Sequence, residues 1–443
     1  ISNNVIGVSD DDGLYLYIGG RDGAPGQLDL IIFNNDITDT EYDGLYLNNN
    51  ADIDDRVNIY IANNDVVNNV EGEAIELDGT PNTLTLVSRN TAGYNDVDSS
   101  EAFELDARQG AVGYAMVRNN VFANSAGDGM DIDTGTQIIN NTVVRNSYYG
   151  SDYGISTWVS EGDFAQIHVR NSIVWDNGRR DLDDFPVIRA AYSLIGNERE
   201  ALGYQTFSDH PNFVTDADRH DYNAYFRLAP ASPAVDAGDP DPLYNDPDGT
   251  RNDIGAFGGP AAGQIGYLGV STPVPLEVLG VRPMTQLFDG GRLLETTQSF
   301  TVYFTRDVDP ASVTATNISI TGSAGAIAGA FDVDGDEVTF TPTASFTAGD
   351  ILQLDIDGVL ANDGQSLRVP FNLTIGIQPT ATAETESNDT TATATAIATD
   401  AFRYTGSVDG TATDVIDFYE ISALAGDRLR VIGLSTDADT DAP

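Results

Sequence analysis

The sequence contains no cysteine, and it contains no lysine, because all 21 residues counted as lysine or arginine are arginine. Without cysteine the chain can form no disulfide, no thiolate zinc site and no cysteine nucleophile. Lysine is likewise excluded as a catalytic base, and only three histidines are available for acid–base chemistry. No apolar run approaches the roughly 18 residues that span a bilayer, so we expect no membrane insertion in this segment.

Acidic residues greatly outnumber basic residues in the sequence. The 443 residues include 69 acidic side chains, and the formal net charge is -48 at pH 7. Such a surface repels nucleic acid and anionic lipid but attracts cations. We therefore expect no nucleic-acid partner, and the composition favours divalent metal or high salt. A chain of this length exceeds the size of one hydrophobic core, which predicts several domains.

A repeat of three short strands runs through residues 1–190. An asparagine turn followed by apolar residues forms half of a unit that recurs every 25 to 31 residues, which is typical of a solenoid coil. The turns begin at Asn3, Asn34, Asn63, Asn119, Asn140 and Asn171. Arg89 takes the corresponding position between Asn63 and Asn119. A small residue leads a second, alternating strand, at Gly13, Gly44, Ala74, Ala102, Gly129 and Gly154, and a third strand precedes the next turn. Stacked coils share a core that no single coil can bury, so the repeat predicts an all-β fold that begins with a parallel β-helix.

Residues 191–265 follow the repeats and carry two further motifs. Residues 232–238 read Ser-Pro-Ala-Val-Asp-Ala-Gly, and residues 253–257 read Asp-Ile-Gly-Ala-Phe. These motifs resemble the closing segment of secreted bacterial β-helix proteins. The resemblance implies that the β-helix is right-handed and that the protein is extracellular, secreted or at the cell surface.

Residues 266–378 predict an Ig-like β-sandwich after a Pro- and Gly-containing connector at 259–275. Strands are expected at 299–304, 318–320, 337–342 and 351–356, with turns between them. The motifs Val308-Asp309-Pro310 and Ala348-Gly349-Asp350 resemble the bacterial Ig-like domain of S-layer and other surface proteins. That resemblance implies spacing and adhesion rather than chemistry.

Residues 379–443 read as a linker followed by part of another β-sandwich. Glu-x-Glu-x-Asn-Asp at 384–389 and Asp-x-x-Asp at 414–417 resemble the start of the pre-peptidase C-terminal domain of secreted proteins. The resemblance implies a calcium site, and oxygen ligands of this kind suit calcium; its residues are Glu384, Glu386, Asn388, Asp389, Asp414 and Asp417. The alternative is a set of solvated linker carboxylates. We expect the sequence to end inside this domain.

Asp131 and Asp133 are the candidate catalytic residues. Two carboxyl groups at a suitable separation can act as acid and base in glycoside hydrolysis. The alternative is structural, because both residues alternate outward on one strand, as Glu104 and Asp106 do one coil earlier.

Tyr149, Tyr153 and Trp158 are the candidate carbohydrate-binding residues, since amphipathic rings suit binding surfaces. The pattern as a whole predicts a non-catalytic structural or adhesive protein, a fragment of a larger surface or filament-forming protein. Its expected partners are polysaccharide or copies of itself, with calcium as the expected ion. The competing hypothesis is a calcium-dependent polysaccharide lyase or glycoside hydrolase acting on the β-helix face.

Overall fold

Parallel strands stacked coil on coil form the first part of the chain. The computed structural model describes residues 1–19, 26–51, 55–79, 83–95, 100–107, 114–147, 150, 152–158, 167–183, 188–196, 203–214, 226–283, 294–378, 380–383, 395–397, 403–405 and 419–421. The first strands are, in chain order, β1 (Val5–Ser9), β2 (Leu14–Gly19), β3 (Gln27–Phe33), β4 (Asp36–Thr40), β5 (Leu45–Asn50), β6 (Arg56–Ala62), β7 (Asp65–Val67), β8 (Ile75–Gly79), β9 (Thr83–Ser88), β10 (Thr91–Gly93), β11 (Phe103–Ala107) and β12 (Tyr114–Arg118). They continue as β13 (Val121–Ala123), β14 (Met130–Ile132), β15 (Thr136–Ile139), β16 (Thr142–Val144), β17 (Tyr153–Ser156), β18 (Ile167–Arg170), β19 (Ile173–Trp175), β20 (Arg180–Leu182), β21 (Ile188–Ala191), β22 (Leu194–Ile195) and β23 (Gly203–Tyr204).

Each strand pairs in parallel with the equivalent strand of the next coil, which produces three long sheets. Sheet 1 has the order β1-β4-β7-β10-β13-β16-β19-β22, sheet 2 the order β2-β5-β8-β11-β14-β17-β20, and sheet 3 the order β3-β6-β9-β12-β15-β18-β21-β23. Equivalent residues of successive coils face each other, so Leu45 pairs with Ile75 and Ile75 with Phe103. The predicted parallel β-helix is confirmed.

The turn from sheet 3 into sheet 1 explains the asparagine repeat. One residue of each turn lies in the left-handed conformation, with φ between 49° and 60°; these residues are Asn3, Asn34, Asn63, Arg89, Asn119, Asn140, Asn171 and Tyr192. Asparagine is the side-chain-bearing residue that tolerates this conformation best. Arg89 and Tyr192 adopt the left-handed conformation although their residue types disfavour it. For Arg89 the reason lies in the contacts of its side chain, which are described below.

The residue after each turn points inward and builds a hydrogen-bonded ladder. The Nδ2 of Asn35 donates to Asn64 Oδ1 at 2.9 Å, Asn64 donates likewise to Asn90 at 2.9 Å, and Asn90 to Asn120 at 3.0 Å. Asn90 Nδ2 also donates to the carbonyl of Ile61 at 3.0 Å. Stacking identical amides in this way satisfies polar groups that the coil buries.

Inside the three sheets lies one hydrophobic core of aliphatic residues, together with Phe103 and Phe122. The small residues before the sheet 2 strands are required by this packing. A Cβ at Gly44 would lie 2.2 Å from Val66 Cγ1, and one at Gly129 would lie 2.4 Å from Val143 Cγ1. The sequence repeat of small residues therefore marks the corner where sheets 1 and 2 approach closely.

Antiparallel sheets follow the β-helix. The strands are β24 (Val278–Arg282), β25 (Phe300–Phe304), β26 (Ile318–Gly322), β27 (Gly325–Ala326), β28 (Gly329–Asp334), β29 (Glu337–Pro342), β30 (Ile351–Ile356) and β31 (Phe371–Gly376). They form two four-stranded sheets, β24-β25-β29-β28 and β27-β26-β30-β31, which share a core that includes Phe300, Phe340 and Leu354. The predicted antiparallel sandwich is confirmed. Four further strands pair in parallel, β32 (Ala381–Ala383) with β34 (Arg403–Thr405) and β33 (Thr395–Ile397) with β35 (Tyr419–Ile421).

The sandwich packs along the outer face of sheet 3 instead of standing away from the β-helix as a spacer. Leu279 and Tyr303 of the sandwich share a buried cluster with Tyr60 and Leu84 of the β-helix. At its edge, Arg282 donates to Asn58 Oδ1 at 2.6 Å, and its guanidinium carbon lies 4.8 Å from the Tyr303 ring centroid. These contacts fix the two parts against each other.

A buried ionic cluster lies in the same interface. Glu277, which is fully buried just before β24, forms ion pairs with Arg89 and with Arg118, the latter at 2.5 Å. Tyr60 donates its hydroxyl to Glu277 at 3.1 Å. Burial alone would raise the pKa of Glu277, but the Arg89 and Arg118 charges outweigh it and lower that pKa to about 2. Arg89 therefore stands in an asparagine position because its side chain anchors the sandwich.

The segment after the β-helix covers sheet 1. Phe226, Ile254 and Ala256 pack in one cluster with residues on the outer face of sheet 1, Val121, Val144 and Ile173 among them. Turn asparagines bind the segment as well, since Asn119 Nδ2 donates to the carbonyl of Ala256 at 2.9 Å.

Candidate functional site

The outer face of sheet 2 is the long face of the β-helix that the rest of the described chain leaves open. The sandwich covers sheet 3 and the segment after the β-helix covers sheet 1. Within the described ranges, no hydrophobic cluster joins the outer face of sheet 2 to another segment. The side chains that point outward from sheet 2 are therefore the first place to look for function.

Carboxylates occupy this face in columns. The strand register places Glu76 opposite Glu104, and Glu104 opposite Asp131. A second column precedes the strands, because Gly44 N–H donates to the carbonyl of Glu73 at 3.0 Å and Ala74 N–H to that of Glu101 at 3.0 Å. We call Asp43, Glu73, Glu76, Glu101, Glu104 and Asp131 the acidic face.

Stacking acids one coil apart makes it costly to ionise all of them. Burial, followed by the charge of Asp43, raises the pKa of Glu76 to about 9. Burial also raises the pKa of Glu101 to about 10, with help from Glu73, and that of Glu104 to about 8, with help from Asp106. Like charges at short range disfavour the ionised form in this way. At neutral pH Glu76, Glu101 and Glu104 therefore retain protons unless a cation neutralises them.

Two overlapping groups on this face have the geometry to hold a metal ion. Carboxylate oxygens of Asp43, Glu73 and Glu76 all lie within 4.8 Å of one another, and so do those of Glu73, Glu101 and Glu104. Oxygen donors in such numbers suit a hard cation such as calcium. The calcium ligands that the sequence predicts, Glu384, Glu386, Asn388, Asp389, Asp414 and Asp417, lie outside the described residues.

The candidate catalytic residues lie at the end of the acidic face. Asp131 and Asp133 point outward, and burial followed by the charge of Asp133 raises the pKa of Asp131 to about 7. Burial likewise raises the pKa of Asp133, which accepts the Trp158 N–H at 2.7 Å. Both candidate carboxyl groups therefore lie in surroundings that favour the protonated form.

Aromatic side chains stand at both ends of the open face. Tyr153 and Trp158 lie at the C-terminal end, where the Arg179 guanidinium carbon is 5.2 Å from the Tyr153 ring centroid and Trp158 is 78% exposed. Tyr149 lies outside the described residues. Tyr15 and Tyr46 lie at the N-terminal end, with ring centroids 5.2 Å apart in an edge-to-face arrangement.

Sequence reasoning did not single out Glu73, Glu76 or Glu101. A signal for two of them was present, because an acid precedes the small residue that leads each sheet 2 strand in five successive coils; these acids are Asp12, Asp43, Glu73, Glu101 and Asp128. Such a column is visible only when the coils are aligned on Gly13, Gly44, Ala74, Ala102 and Gly129.

Part of the chain matches a known family. Residues 284–373 match the family model described as a bacterial Ig-like domain. The solved structure of the N-terminal part of the bacterial S-layer protein SbsC is 20% identical, covering 24% of this chain and 24% of that chain, with a TM-score of 0.19. Domains 1–6 of the surface layer protein SbsC are 18% identical, covering 29% of this chain and 16% of that chain, also with a TM-score of 0.19. The matches thus span less than a third of either chain, and no curated protein matches.

The match to the Ig-like family model bears on location as well as fold. An Ig-like domain of this bacterial family fits an extracellular structural or adhesive role at the cell surface. In the part of the chain that the structure describes, no helix is long and apolar enough to cross a membrane.

Proposed function

We propose that this chain is a non-catalytic structural and adhesive module of a larger extracellular protein, and that it adheres through the open face of sheet 2. One observation carries the proposal: the sandwich and the segment after the β-helix cover two faces of the β-helix, and no hydrophobic cluster of the described residues covers the third. That third face repeats the same side-chain positions coil after coil, as the register of Glu76, Glu104 and Asp131 illustrates. A flat repeating face suits an extended partner, either polysaccharide or another copy of this chain.

The competing function is calcium-dependent cleavage of a polysaccharide on the same face. One feature favours it, since a carboxyl with a raised pKa, such as Glu104, can donate a proton near neutral pH. The test is to incubate the purified chain with alginate, pectate and neutral β-glucans, with and without calcium, and to measure both binding and new chain ends. Binding without new ends supports the proposal. New ends that disappear in the Asp131→Asn, Asp133→Asn variant would overturn it.

Calcium is proposed as the ion that neutralises the carboxylates of this protein. Two locations are open: the residues from Glu384 to Asp417 that the sequence predicts, and the triads that share Glu73. Calorimetric titration of the full chain with calcium chloride measures the stoichiometry, and two variants separate the locations. Glu73→Gln should remove binding at the triads, whereas Glu384→Gln with Glu386→Gln should remove binding at the C-terminal residues.

The matched control for Glu73→Gln is Glu71→Gln, an exposed acid of the same turn that belongs to neither triad. If calcium produces no heat and no change in melting temperature, calcium binding by this chain is wrong. Similarity of residues 191–265 to the closing segment of secreted β-helix proteins, and of residues 384–417 to the pre-peptidase C-terminal domain, remains part of the proposal. Self-association is tested by sedimentation velocity across a concentration series.

A further inference from the structure

The N-terminal end of the open face carries a group of tyrosines and asparagines that the acidic face does not include. Tyr15 and Tyr17 project from β2 and are 50% and 61% exposed. In the strand register Tyr15 faces Tyr46, and Tyr17 faces Asn48. We call Tyr15, Tyr17, Tyr46 and Asn48 the tyrosine platform. The column of Tyr15 and Tyr46 continues with an acid in the next coil, where Glu76 faces Tyr46, so the platform is a local departure from the acidic pattern.

The platform is held in place before any ligand arrives. The Tyr15 and Tyr46 rings meet edge to face, and Asn48 Nδ2 donates to Tyr46 Oη at 2.9 Å. Asn50 Nδ2 in turn donates to Asn48 Oδ1 at 2.6 Å. The Tyr17 ring lies back over Gly19, where a Cβ would stand 3.1 Å from Tyr17 Cε1. Rings fixed in this way lose little side-chain entropy when a ligand binds.

The chemistry of the platform identifies a class of ligand. Exposed phenol rings offer apolar faces with polar edges, and a pyranose ring likewise has an apolar C–H face and hydroxyl edges. Phenol and amide groups exchange hydrogen bonds with hydroxyls without adding charge. Asp12 and Asp43 flank the platform from the preceding turns, and Glu76 borders it in the next coil. The chain as a whole, with a formal net charge of -48 at pH 7, repels a polyanionic glycan.

We propose that the tyrosine platform is a binding site for an uncharged, hydroxyl-rich polysaccharide, which stacks on Tyr15 and Tyr17 and hydrogen-bonds to Tyr46 and Asn48. This site rests on the proposed adhesive function and deepens it by naming the ligand class. It also moves the carbohydrate contact to the opposite end of the face from Tyr153 and Trp158.

Affinity electrophoresis of the full chain tests the site, with gels that contain a neutral β-glucan, a neutral galactomannan, alginate or chitosan. We expect retardation in at least one neutral gel and none in alginate. The Tyr15→Ala, Tyr17→Ala variant should raise Kd by about 100-fold, about ten-fold for each ring removed. Tyr204→Ala is the matched control, because it removes an exposed tyrosine ring that lies on sheet 3 and not on this face; it should bind like the wild type.

Circular dichroism and melting temperature confirm that each variant folds, and Tyr46→Phe offers a milder change that removes one hydroxyl. The proposal is overturned if no neutral glycan binds, if alginate binds more tightly than the neutral glycans, or if Trp158→Ala loses binding while the Tyr15→Ala, Tyr17→Ala variant keeps it. Failure of this site is distinguishable from failure of the adhesive function. Glycan binding that survives in the tyrosine variant refutes only the site, whereas depolymerisation of the glycan refutes the adhesive function itself.

Discussion

Removing the Glu277 carboxylate should uncouple the sandwich from the β-helix. In the wild-type structure the Arg89 side chain is 0% exposed. In the Glu277→Ala variant it loses its ion pair and stays buried unless the interface opens. Breaking a buried ion pair by deleting one partner typically costs about 3–5 kcal/mol, because the remaining charge is left without compensation. That cost is comparable to the total stability of many domains, about 5–15 kcal/mol. We therefore expect the interface to open before Arg89 is tolerated unpaired.

The assay is differential scanning calorimetry together with urea unfolding followed by fluorescence of Trp158 and Trp175, which both lie in the β-helix. Glu277→Ala should lower the urea midpoint and split one calorimetric transition into two. Glu337→Ala is the matched control, since Glu337 accepts a hydrogen bond from Gln27 at an exposed edge of the same interface. It should cost less than about 1 kcal/mol. A Glu277→Ala variant that unfolds like the control would refute the reasoning.

The loss of stability at low pH provides a second test of the role of Glu277. The pKa of Glu277 falls from 4.5 to about 2 in the folded chain, so the unfolded state binds the proton more readily. The stabilisation from Glu277 is therefore present above about pH 4.5 and is lost as the pH falls towards 2. The wild type should lose stability more steeply than Glu277→Ala across that interval.

Three further perturbations test other parts of the structure. The double variant Glu76→Gln, Glu104→Gln should raise the melting temperature at about pH 9 but hardly change it at about pH 5. Because the pKa values of both acids are raised in the folded chain, the wild type loses stability as the pH rises from about 5 to about 9, whereas glutamine does not ionise. A wild-type melting temperature that is constant over this range would contradict the prediction. Asn90→Ala interrupts the inward ladder and should cost about 1–3 kcal/mol in urea, whereas Asn50→Ala on the outer face serves as a near-neutral control. Asp65→Asn should stabilise the chain above about pH 7, since burial raises the pKa of Asp65 to about 7 and the amide carries no charge; calorimetry that finds no gain there argues against it.

Local chemistry was sufficient to predict the β-helix. Asn34 and Asn63 mark left-handed turns, Gly44 marks a close approach between sheets, and alternation sets which side chains face inward. All three signals act within one coil and then repeat, so a single sequence displays them several times. The outward direction of Asp131 was predictable for the same reason, and its pairing with Glu104 is confirmed.

The docking of the sandwich could not be predicted in this way. Glu277 and Arg89 are separated by 188 residues, and neither belongs to a motif that predicts a contact with the other. Arg89 stood out only as an exception in the asparagine column. The meaning of that exception depends on which face of the β-helix the sandwich covers, and no local pattern encodes that choice.

The outer face of sheet 2 also combines features that the sequence determines with features that depend on the tertiary structure. Periodicity alone determined that residues 1–190 form stacked parallel coils, because each coil repeats the physical requirements of the one before it. Only the tertiary structure decided that no hydrophobic cluster of the described residues covers the outer face of sheet 2. It also decided that Glu73 joins Asp43 and Glu76 in one group and Glu101 and Glu104 in another. The reason is physical: stacking brings equivalent residues of successive coils side by side, and exposure depends on where the later domains pack.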